Sequence, residues 1–413
     1  MGDSRDRSDP IWNGRTLIVL AVWAALSITL VFATVDPWLD QVGILAGGFD
    51  VHVYRDGAWK IVHGHPLYTE PTHRGLSYTY TPFSTLMFLP IVAVPWGAVT
   101  NCWLVLNVCV LYGCVLLCWR ILGYRFTARL AGVSALVAGA AVFLEPIRTT
   151  LYYGQINLIL MALILWDFSR ADRSRLRGFG VGVAAGIKLV PLFFVLQFAV
   201  LRQWRSALVA VATFLSTIVV AGLVLRSDSR QYWTSTFFQS DRIAPDTQPA
   251  NQSIRGAIAH FSGHQVPQWL WLLIAAPVAI LGLLVAAELE RRGERLLSVA
   301  YTGLTSCAVS PFSWNHHWVW LLPLFVYLIH RARTSPRWWG AAGLLYIATG
   351  AWAYHWNPHW VVVGWFLFPP SWPISPILLN CYLLVYVIIT GCLICYGRFS
   401  GPTSHSAAAE GTP

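Results

Sequence analysis

The sequence predicts an all-α polytopic membrane protein with about 10 to 12 transmembrane helices and further helices at the outer membrane surface. Of its 413 residues, 56% are hydrophobic and 11% are charged, whereas soluble domains carry about 25% charged residues. Apolar runs of helical length recur along most of the chain, and short arginine clusters separate them. This composition excludes a soluble enzyme. The net charge of +10 therefore reports membrane topology and does not indicate nucleic-acid binding.

Eleven apolar runs are candidates for the spans, since about 20 helical residues cross a hydrocarbon core of about 30 Å. They occupy residues 16–35, 82–121, 127–145, 154–168, 178–200, 206–225, 267–289, 295–312, 316–330, 337–354 and 375–397. The first run follows Arg5, Arg7 and Arg15 and has no convincing cleavage site, so we expect an uncleaved span. Residues 1–399 are predicted to form a single transmembrane domain, and 400–413 a disordered cytoplasmic tail.

The arginine clusters predict which loops are cytoplasmic, because cytoplasmic loops are enriched in Lys and Arg. The clusters are Arg5/Arg7/Arg15, Arg120/Arg125/Arg129, Arg170/Arg173/Arg175/Arg177, Arg202/Arg205, Arg291/Arg292/Arg295 and Arg331/Arg333/Arg337. With these loops inside, both termini are cytoplasmic. The outer segments are then 36–81, 146–153, 226–266, 313–317 and 355–374, and 36–81 and 226–266 are the two large outer loops.

Two apolar runs do not fit a single straight helix that crosses the membrane once. The run 178–200 has basic clusters at both ends and contains Lys188 and Pro191. We therefore predict two half-helices that enter from the cytoplasm, meet near the membrane midplane and return. The run 82–121 contains three prolines in its first half and must cross an odd number of times.

Ten of the twelve histidines lie on the predicted outer segments. Several carboxylates, arginines and lysines accompany them, which predicts a polar active surface on the outer face. Soluble nucleotide donors are absent there, so a transferase at this face needs a carrier that has already crossed the membrane.

The first outer loop contains the strongest catalytic candidate, Asp50. Apolar residues recur at helical spacing from Val51 to Val62, which predicts an amphipathic helix along the membrane surface. Asp50 at its start could act as a general base toward a sugar hydroxyl, or could merely cap the helix. Asp56 is the weaker candidate, because it fits a solvated polar face.

Other candidate residues lie at the outer ends of spans. Gln155 and Asn157 fit either ligand binding or hydrogen bonds between helices. The imidazoles of His316 and His317 could hold or protonate a lipid phosphate. Lys188 is an intramembrane cation, functional unless its amine extends to the cytoplasmic surface.

The second large outer loop contributes Asn251 and Arg255, whose amide and guanidinium groups suit a phosphate. An ordinary polar loop is the alternative. Metal binding is not predicted, because His63/His65 and His355/His359 supply only pairs without an evident carboxylate partner. The eight cysteines lie in apolar runs, which disfavours a disulfide framework.

These motifs together resemble glycosyltransferase family 87, polytopic enzymes of the GT-C fold that use polyprenyl-phosphate sugars. Lys188 with Pro191 and the pair His316-His317 contribute to the resemblance. The remaining motifs are GFDVHVY (48–54), GHPLY (64–68), YTP (80–82), GQIN (154–157), NQSIRG (251–256) and SPFSW (310–314). Thr81 stands where many members have a second proline.

Within the family, the chain looks most similar to members that add an α-1,2-linked mannose to phosphatidylinositol mannosides in cell-envelope synthesis. The resemblance implies a polyprenyl-phosphate-mannose donor, a glycolipid acceptor, an inverting transfer without a metal cofactor, and a plasma-membrane enzyme whose site faces outward. It places an essential aspartate at Asp50 and a histidine at His316 or His317. Tyr54, Gln155, Lys188, Asn251 and Arg255 are the expected donor-phosphate or sugar ligands.

Two other functions remain open from the sequence. A transporter would place broken helices at corresponding positions of two related halves, which the runs 82–121 and 178–200 do not do. An arabinofuranosyl or glucosyl transferase on the same scaffold would differ only in its sugar.

Overall fold

The computed structural model describes residues 14–33, 47–239, 244–352, 364–367 and 372–399, which form helices and turns with no β-sheet in these ranges. The prediction of an all-α fold is confirmed. The helices are α1 (Gly14–Ala33), α2 (Phe49–Val62), α3 (Pro82–Val92), α4 (Trp96–Ile121), α5 (Ala128–Ala141), α6 (Glu145–Tyr153), α7 (Asn157–Phe168), α8 (Phe179–Ile187), α9 (Phe193–Val200), α10 (Trp204–Val224), α11 (Arg226–Thr234), α12 (Ile254–Ser262), α13 (Gln268–Arg291), α14 (Arg295–Val309), α15 (Leu321–Ala332), α16 (Arg337–Ala348), α17 (Ser375–Leu378) and α18 (Cys381–Phe399). The predicted tail at 400–413 and the pair His355/His359 lie outside the described residues.

Four of these helices, α1, α4, α10 and α13, are long and apolar enough to cross a membrane. Helices α6 and α7 qualify together as a fifth, broken span, bent by 119° at their junction. Shorter apolar helices occupy 82–92, 128–141, 190–200 and 381–395. The chain is thus a multi-span membrane protein, and 10 to 12 crossings would require the shorter helices to cross as well.

The apolar face of α2 packs onto the protein. Val51, Tyr54 and Ala58 are fully buried against α3 and α4. The predicted helix in the first outer loop is therefore present. Its apolar stripe contributes to the hydrophobic core, and α2 is held by protein contacts along that face.

Helices α8 and α10 run parallel and in close contact. Glycines at the start of α8 and along it lie against residues of α10 in the same order, pairing Gly178 with Ser206, Gly182 with Ala210 and Gly186 with Thr217. Eleven residues of α10 rise about 16 Å, about half the ~30 Å hydrocarbon core of a bilayer. The end of α8 therefore lies at mid-depth of the bundle.

Helix α9 returns from that depth to the level where α8 begins. Only three residues separate α9 from α10, and the ring of Phe198 near the end of α9 lies 5.5 Å from the guanidinium of Arg177, just before α8. The structure thus has two short helices that meet at Lys188 and turn back, as predicted, and their entry from the cytoplasm stays a prediction.

Arginines of the predicted cytoplasmic clusters meet at one end of the bundle. Arg295 donates to Asp172 at 2.8 Å, and Arg331 donates to Glu294 at 2.8 Å. Arg205 donates to the Arg173 carbonyl at 3.3 Å. Four of the six predicted cytoplasmic clusters are thus neighbours in space, and Arg5 and Arg7 lie outside the described residues.

One of the predicted outer segments, 146–153, is not an exposed loop. This segment belongs to α6, a nine-residue helix that is buried up to Tyr152. The charged side chains of α6 find partners inside the protein, so the segment does not need to face water. All eight cysteines are free thiols, as the sequence indicated.

Candidate active site

A cavity of about 660 Å³ lies where α2, the α6–α7 junction, the tip of the α8–α9 hairpin and the segment 310–317 meet. We call it the central cavity. Its polar wall consists of Asp50, Tyr80, Gln155, Lys188, His316 and His317. Five side chains singled out from the sequence are thereby brought together from positions up to 267 residues apart, which is the separation of Asp50 and His317.

Asp50 lies in the first turn of α2 and does not cap it. The N-cap is Gly48, which adopts a left-handed conformation (φ 83°) and makes no side-chain capping bond. The Gly48 N–H donates to the Tyr152 carbonyl at 2.6 Å, which ties the start of α2 to α6. The Asp50 carboxylate accepts a hydrogen bond from Gln155 and faces the cavity.

The orientation of Gln155 is set by two tyrosines. Its Oε1 accepts from the Tyr54 hydroxyl at 2.9 Å and from the Tyr80 hydroxyl at 3.2 Å. With the oxygen so engaged, the amide nitrogen is the group that donates to Asp50. Tyr54 itself is fully buried and stacks on Phe88 with ring centroids 4.5 Å apart, so it supports Gln155 and does not line the cavity.

The enclosure of Asp50 changes its acidity. Burial raises the pKa of Asp50 from 3.8 to about 7, although the hydrogen bond from Gln155 and the charge of Lys188 both lower it. A carboxylate with a pKa near neutrality is well matched to proton transfer at physiological pH.

Lys188 directs its amine into the cavity at the break between α8 and the following turn. Its backbone is extended (φ −144°, ψ 132°), and its Nζ lies 2.8 Å from His317 Nε2 and 3.2 Å from Asn157 Oδ1. An ammonium group only donates, so His317 accepts at Nε2 and carries its proton on Nδ1. The cation and the imidazole form one wall suited to an anion, and the amine does not extend to the cytoplasmic end.

His316 is more deeply placed than its neighbour. Its carbonyl accepts from the Asn157 amide at 2.9 Å, and its ring stands 5.0 Å from that of His317 at 83°. His316 is 5% exposed, and its Nδ1 is buried without a hydrogen-bond partner in the described structure.

Glu145 holds the segment that contains His316 and His317 in place through hydrogen bonds. The buried carboxylate accepts from the amide of Asn315, the residue before His316, and from the hydroxyls of Thr149 and Tyr382. Helix α6 thus contacts the imidazole segment at its first residue and the start of α2 near its last.

The opposite wall of the cavity is apolar. It consists of Leu189, Phe193, Leu196, Phe237 and Val309. Leu196 is 49% exposed and Phe237 is 46% exposed, so this wall continues onto the outer surface of the helix bundle, where lipid would lie. The cavity therefore has a polar inner end and an apolar route to the surface.

Two sequence candidates lie away from the cavity. Arg255 donates to Asp246 at 2.9 Å and to the Val266 carbonyl at 3.0 Å, within the second outer loop. Asn251 accepts from Ser253 at 2.9 Å and from the Ser313 N–H at 3.2 Å. These contacts connect the outer loop to the segment before His316.

Three residues that the sequence analysis did not select contribute to the site. Tyr80 lines the cavity, Glu145 anchors the histidine segment, and the Thr81 hydroxyl donates to the Gly186 carbonyl at the hairpin tip. The signal for Glu145 and Thr81 was a polar residue at a helix start inside an apolar region, and Tyr80 lies with Thr81 in the YTP motif at 80–82.

No group of three His, Cys, Asp or Glu side chains in the described ranges is arranged to hold a metal ion. Metal independence remains a prediction.

Comparison with known proteins shows one family. Residues 78–311 match the sequence pattern of Glycosyltransferase family 87. A polyprenol-phosphate-mannose-dependent alpha-(1-2)-phosphatidylinositol pentamannoside mannosyltransferase of Mycobacterium tuberculosis (strain CDC 1551 / Oshkosh) is 34% identical over 385 residues, 91% of this chain and 84% of the relative. Its counterpart from Mycolicibacterium smegmatis is 34% identical over 306 residues, 73% of this chain and 74% of the relative.

A related protein of Mycobacterium tuberculosis (strain ATCC 25618 / H37Rv) is named a phosphatidylinositol mannoside mannosyltransferase of the same donor dependence and linkage. It is 31% identical over 291 residues, 66% of this chain and 68% of the relative. No solved structure matches the chain.

Proposed function

Because the chain belongs to glycosyltransferase family 87, we propose that this membrane glycosyltransferase moves mannose from polyprenyl-phosphate-mannose to a mannosyl group of a phosphatidylinositol mannoside. The new linkage is α-1,2 and forms with inversion, on the outer face of the plasma membrane. Donor, linkage and acceptor class follow from the names of the relatives, which differ only in the acceptor that they state.

One observation supports the mechanism: a carboxylate, a wall with a cation and an imidazole, and an apolar opening surround the central cavity. A lipid-phosphate sugar needs all three. Its prenyl chain fits the apolar wall at Leu196 and Phe237, its phosphate fits Lys188 and His317, and its sugar then lies toward Asp50.

The reaction is a single displacement at the mannosyl C1. The 2-hydroxyl oxygen of the acceptor attacks C1 and transfers its proton to the Asp50 carboxylate. The bond from C1 to the phosphate oxygen breaks, and its electron pair stays on the departing polyprenyl phosphate. Lys188 and His317 stabilise that negative charge in a site shielded from water. They do so by donating hydrogen bonds to the phosphate and by holding each other in position.

His317 contacts Lys188 directly, so we assign the phosphate contact to His317. His316, whose Nδ1 is buried without a hydrogen-bond partner in the described structure, is assigned a supporting position behind His317. Gln155 holds the carboxylate of Asp50 in place. Asn251 and Arg255 keep the outer loop against the histidine segment and do not touch the donor.

The test is mannose transfer by purified protein supplied with polyprenyl-phosphate-mannose and a phosphatidylinositol mannoside acceptor. Asp50→Asn removes the base while keeping the shape of the side chain. We expect a loss of about 10²-fold to 10⁴-fold in turnover, with donor binding retained. Linkage analysis of the product identifies the sugar and its attachment.

Asp56→Asn is the matched control, since Asp56 lies on the same helix outside the cavity. Its turnover should equal that of the wild type. Wild-type turnover by Asp50→Asn would remove Asp50 from the mechanism. A product containing arabinose or glucose would show that the donor carries a sugar other than mannose.

A further inference from the structure

The side chain of Tyr80 contacts two chemically different parts of the central cavity. It is half-buried and lines the cavity together with Asp50 and Lys188. Its ring faces the amine of Lys188, whose Nζ lies 5.5 Å from the ring centroid. Its hydroxyl donates to Gln155 Oε1 at 3.2 Å. One side chain therefore contacts both the cation and the amide that holds the Asp50 carboxylate.

The ring of Tyr80 attracts the Lys188 amine without using one of its hydrogen-bond donors. An ammonium group has three N–H donors, and two of them are directed to His317 Nε2 at 2.8 Å and to Asn157 Oδ1 at 3.2 Å. At 5.5 Å from the centroid, the amine is attracted by the negative face of the ring. The third donor is therefore left for a phosphate oxygen.

The hydroxyl of Tyr80 belongs to a set of three polar groups in mutual contact. Its oxygen lies 2.9 Å from that of the Tyr54 hydroxyl, and both hydroxyls contact Gln155 Oε1. Burial, together with the charge of Asp50, raises the pKa of Tyr80, so the hydroxyl stays protonated and keeps a proton to donate. The Gln155 oxygen is thereby held toward the tyrosines and its amide nitrogen toward Asp50.

The backbone at Tyr80 is tied to neighbouring segments. The Tyr80 carbonyl accepts from the Tyr68 hydroxyl at 2.7 Å. The next residue, Thr81, donates to the Gly186 carbonyl at the tip of the α8–α9 hairpin, two residues before Lys188. The distance from the ring to the amine is therefore set by direct contacts between these two segments.

We propose that Tyr80 is a positioning residue for the reaction, whose ring holds the Lys188 amine toward the donor phosphate and whose hydroxyl orients Gln155. An inverting displacement needs the attacking and departing oxygens on opposite sides of the mannosyl C1. Tyr80 connects the group that acts on one side with the group that acts on the other. The inference rests on the proposed function, because it concerns the same donor site.

The test for the ring changes its charge distribution at constant shape. Tyr80→Phe keeps the ring, and a trifluorinated phenylalanine incorporated in place of Tyr80 keeps the shape but weakens the negative face. Equilibrium binding of radiolabelled polyprenyl-phosphate-mannose to the purified full-length protein gives the donor Kd. A cation–π contact contributes about 2-fold to 30-fold in binding, so fluorination should raise the donor Kd about twofold or more above that of Tyr80→Phe.

Lys188→Met separates this inference from the proposed function. Without the cation there is no charge for the ring to hold, so fluorination should no longer change the donor Kd in that background. An equal effect of fluorination in both backgrounds would overturn the inference. If Lys188→Met raises the donor Kd but fluorination does not, the inference fails and the proposed donor site stands. If Lys188→Met leaves the donor Kd unchanged, the proposed donor site itself is wrong.

The hydroxyl is tested by the turnover of Tyr80→Phe. Gln155 loses one of its two hydroxyl donors, so kcat should fall by about 2-fold to 10-fold while the donor Kd stays within about twofold of the wild type. The matched control is Tyr78→Phe, which removes a hydroxyl that contacts Ser84, from a fully buried ring outside the cavity lining. Its kcat should equal that of the wild type, and equal losses in the two variants would overturn the role of the Tyr80 hydroxyl.

Discussion

At the scale of single residues, the enclosure of one carboxylate is the feature with the clearest chemical consequence. Burial raises the pKa of Asp50 to about 7, and a protonated carboxyl cannot accept a proton from an acceptor hydroxyl. Activity should therefore be lost as pH falls through about 7 and be fully present above it. The hydrogen bond from Gln155 keeps the pKa from rising further.

Gln155→Glu tests this dependence. The substitution keeps an oxygen for Tyr54 and Tyr80 but replaces the N–H donor with a second carboxylate oxygen beside Asp50. Like charge raises a carboxyl pKa, so the midpoint of the pH–rate profile should move upward by about one pH unit or more. Initial rates of mannose transfer across about pH 5 to 9 measure it. Asp56→Asn should leave the profile unchanged, and a wild-type rate independent of pH below 7 would contradict the assignment.

At the scale of elements, the α8–α9 hairpin places Lys188 at mid-depth because glycines let α8 approach α10. A Cβ at Gly182 would lie 2.6 Å from the Ala210 carbonyl oxygen and 2.5 Å from the Thr213 Cβ. The hairpin tip is then fixed by the Thr81 hydroxyl. The position of the Lys188 amine thus depends on how closely the backbones of α8 and α10 pack, at a place far from the cavity.

Gly182→Ala should separate α8 from α10. We expect a loss of roughly 1–3 kcal/mol in stability, together with reduced donor binding as Lys188 shifts. Thermal unfolding in detergent measures the first effect. Gly222→Ala in α10 is the control, because a Cβ there meets nothing within 4 Å and alanine favours the helix. Equal unfolding temperatures for the two variants would show that the close approach is not needed.

At the scale of the whole molecule, the two ends of the bundle differ in chemistry. One end contains the central cavity with His316 and His317, and the other contains the linked arginines of the predicted cytoplasmic clusters. By the bias of Lys and Arg toward cytoplasmic loops, we expect the arginine end to face the cytoplasm and the central cavity to face outward.

Membrane-impermeant maleimide can test this orientation in intact cells. A thiol introduced by Thr69→Cys, exposed beside α2, should react before permeabilisation. One introduced by Arg175→Cys should react only after it. Labelling is compared with the wild-type protein, whose own thiols provide the background, and the reverse pattern would invert the topology and move the proposed reaction to the cytoplasm.

Much of the architecture was predictable because it is local. Apolar length identified the spans, glycine and proline with Lys188 indicated the broken run, and arginine spacing grouped the loops that meet at one end. The exposure predicted for the outer segment 146–153 was wrong, because the sequence does not show that Glu145, at the start of α6, hydrogen-bonds with Asn315 and Tyr382.

The amino-acid order by itself determined that this is an all-helical membrane protein of a glycosyltransferase family, and it supplied Asp50, Lys188 and the histidine pair as candidate site residues. Only the tertiary structure decided which of the candidates share a cavity. Hydrogen bonds between distant segments assigned Tyr54 to the support of Gln155 and Arg255 to Asp246. Such pairings depend on how helices pack in three dimensions, and neither composition nor periodicity carries that information.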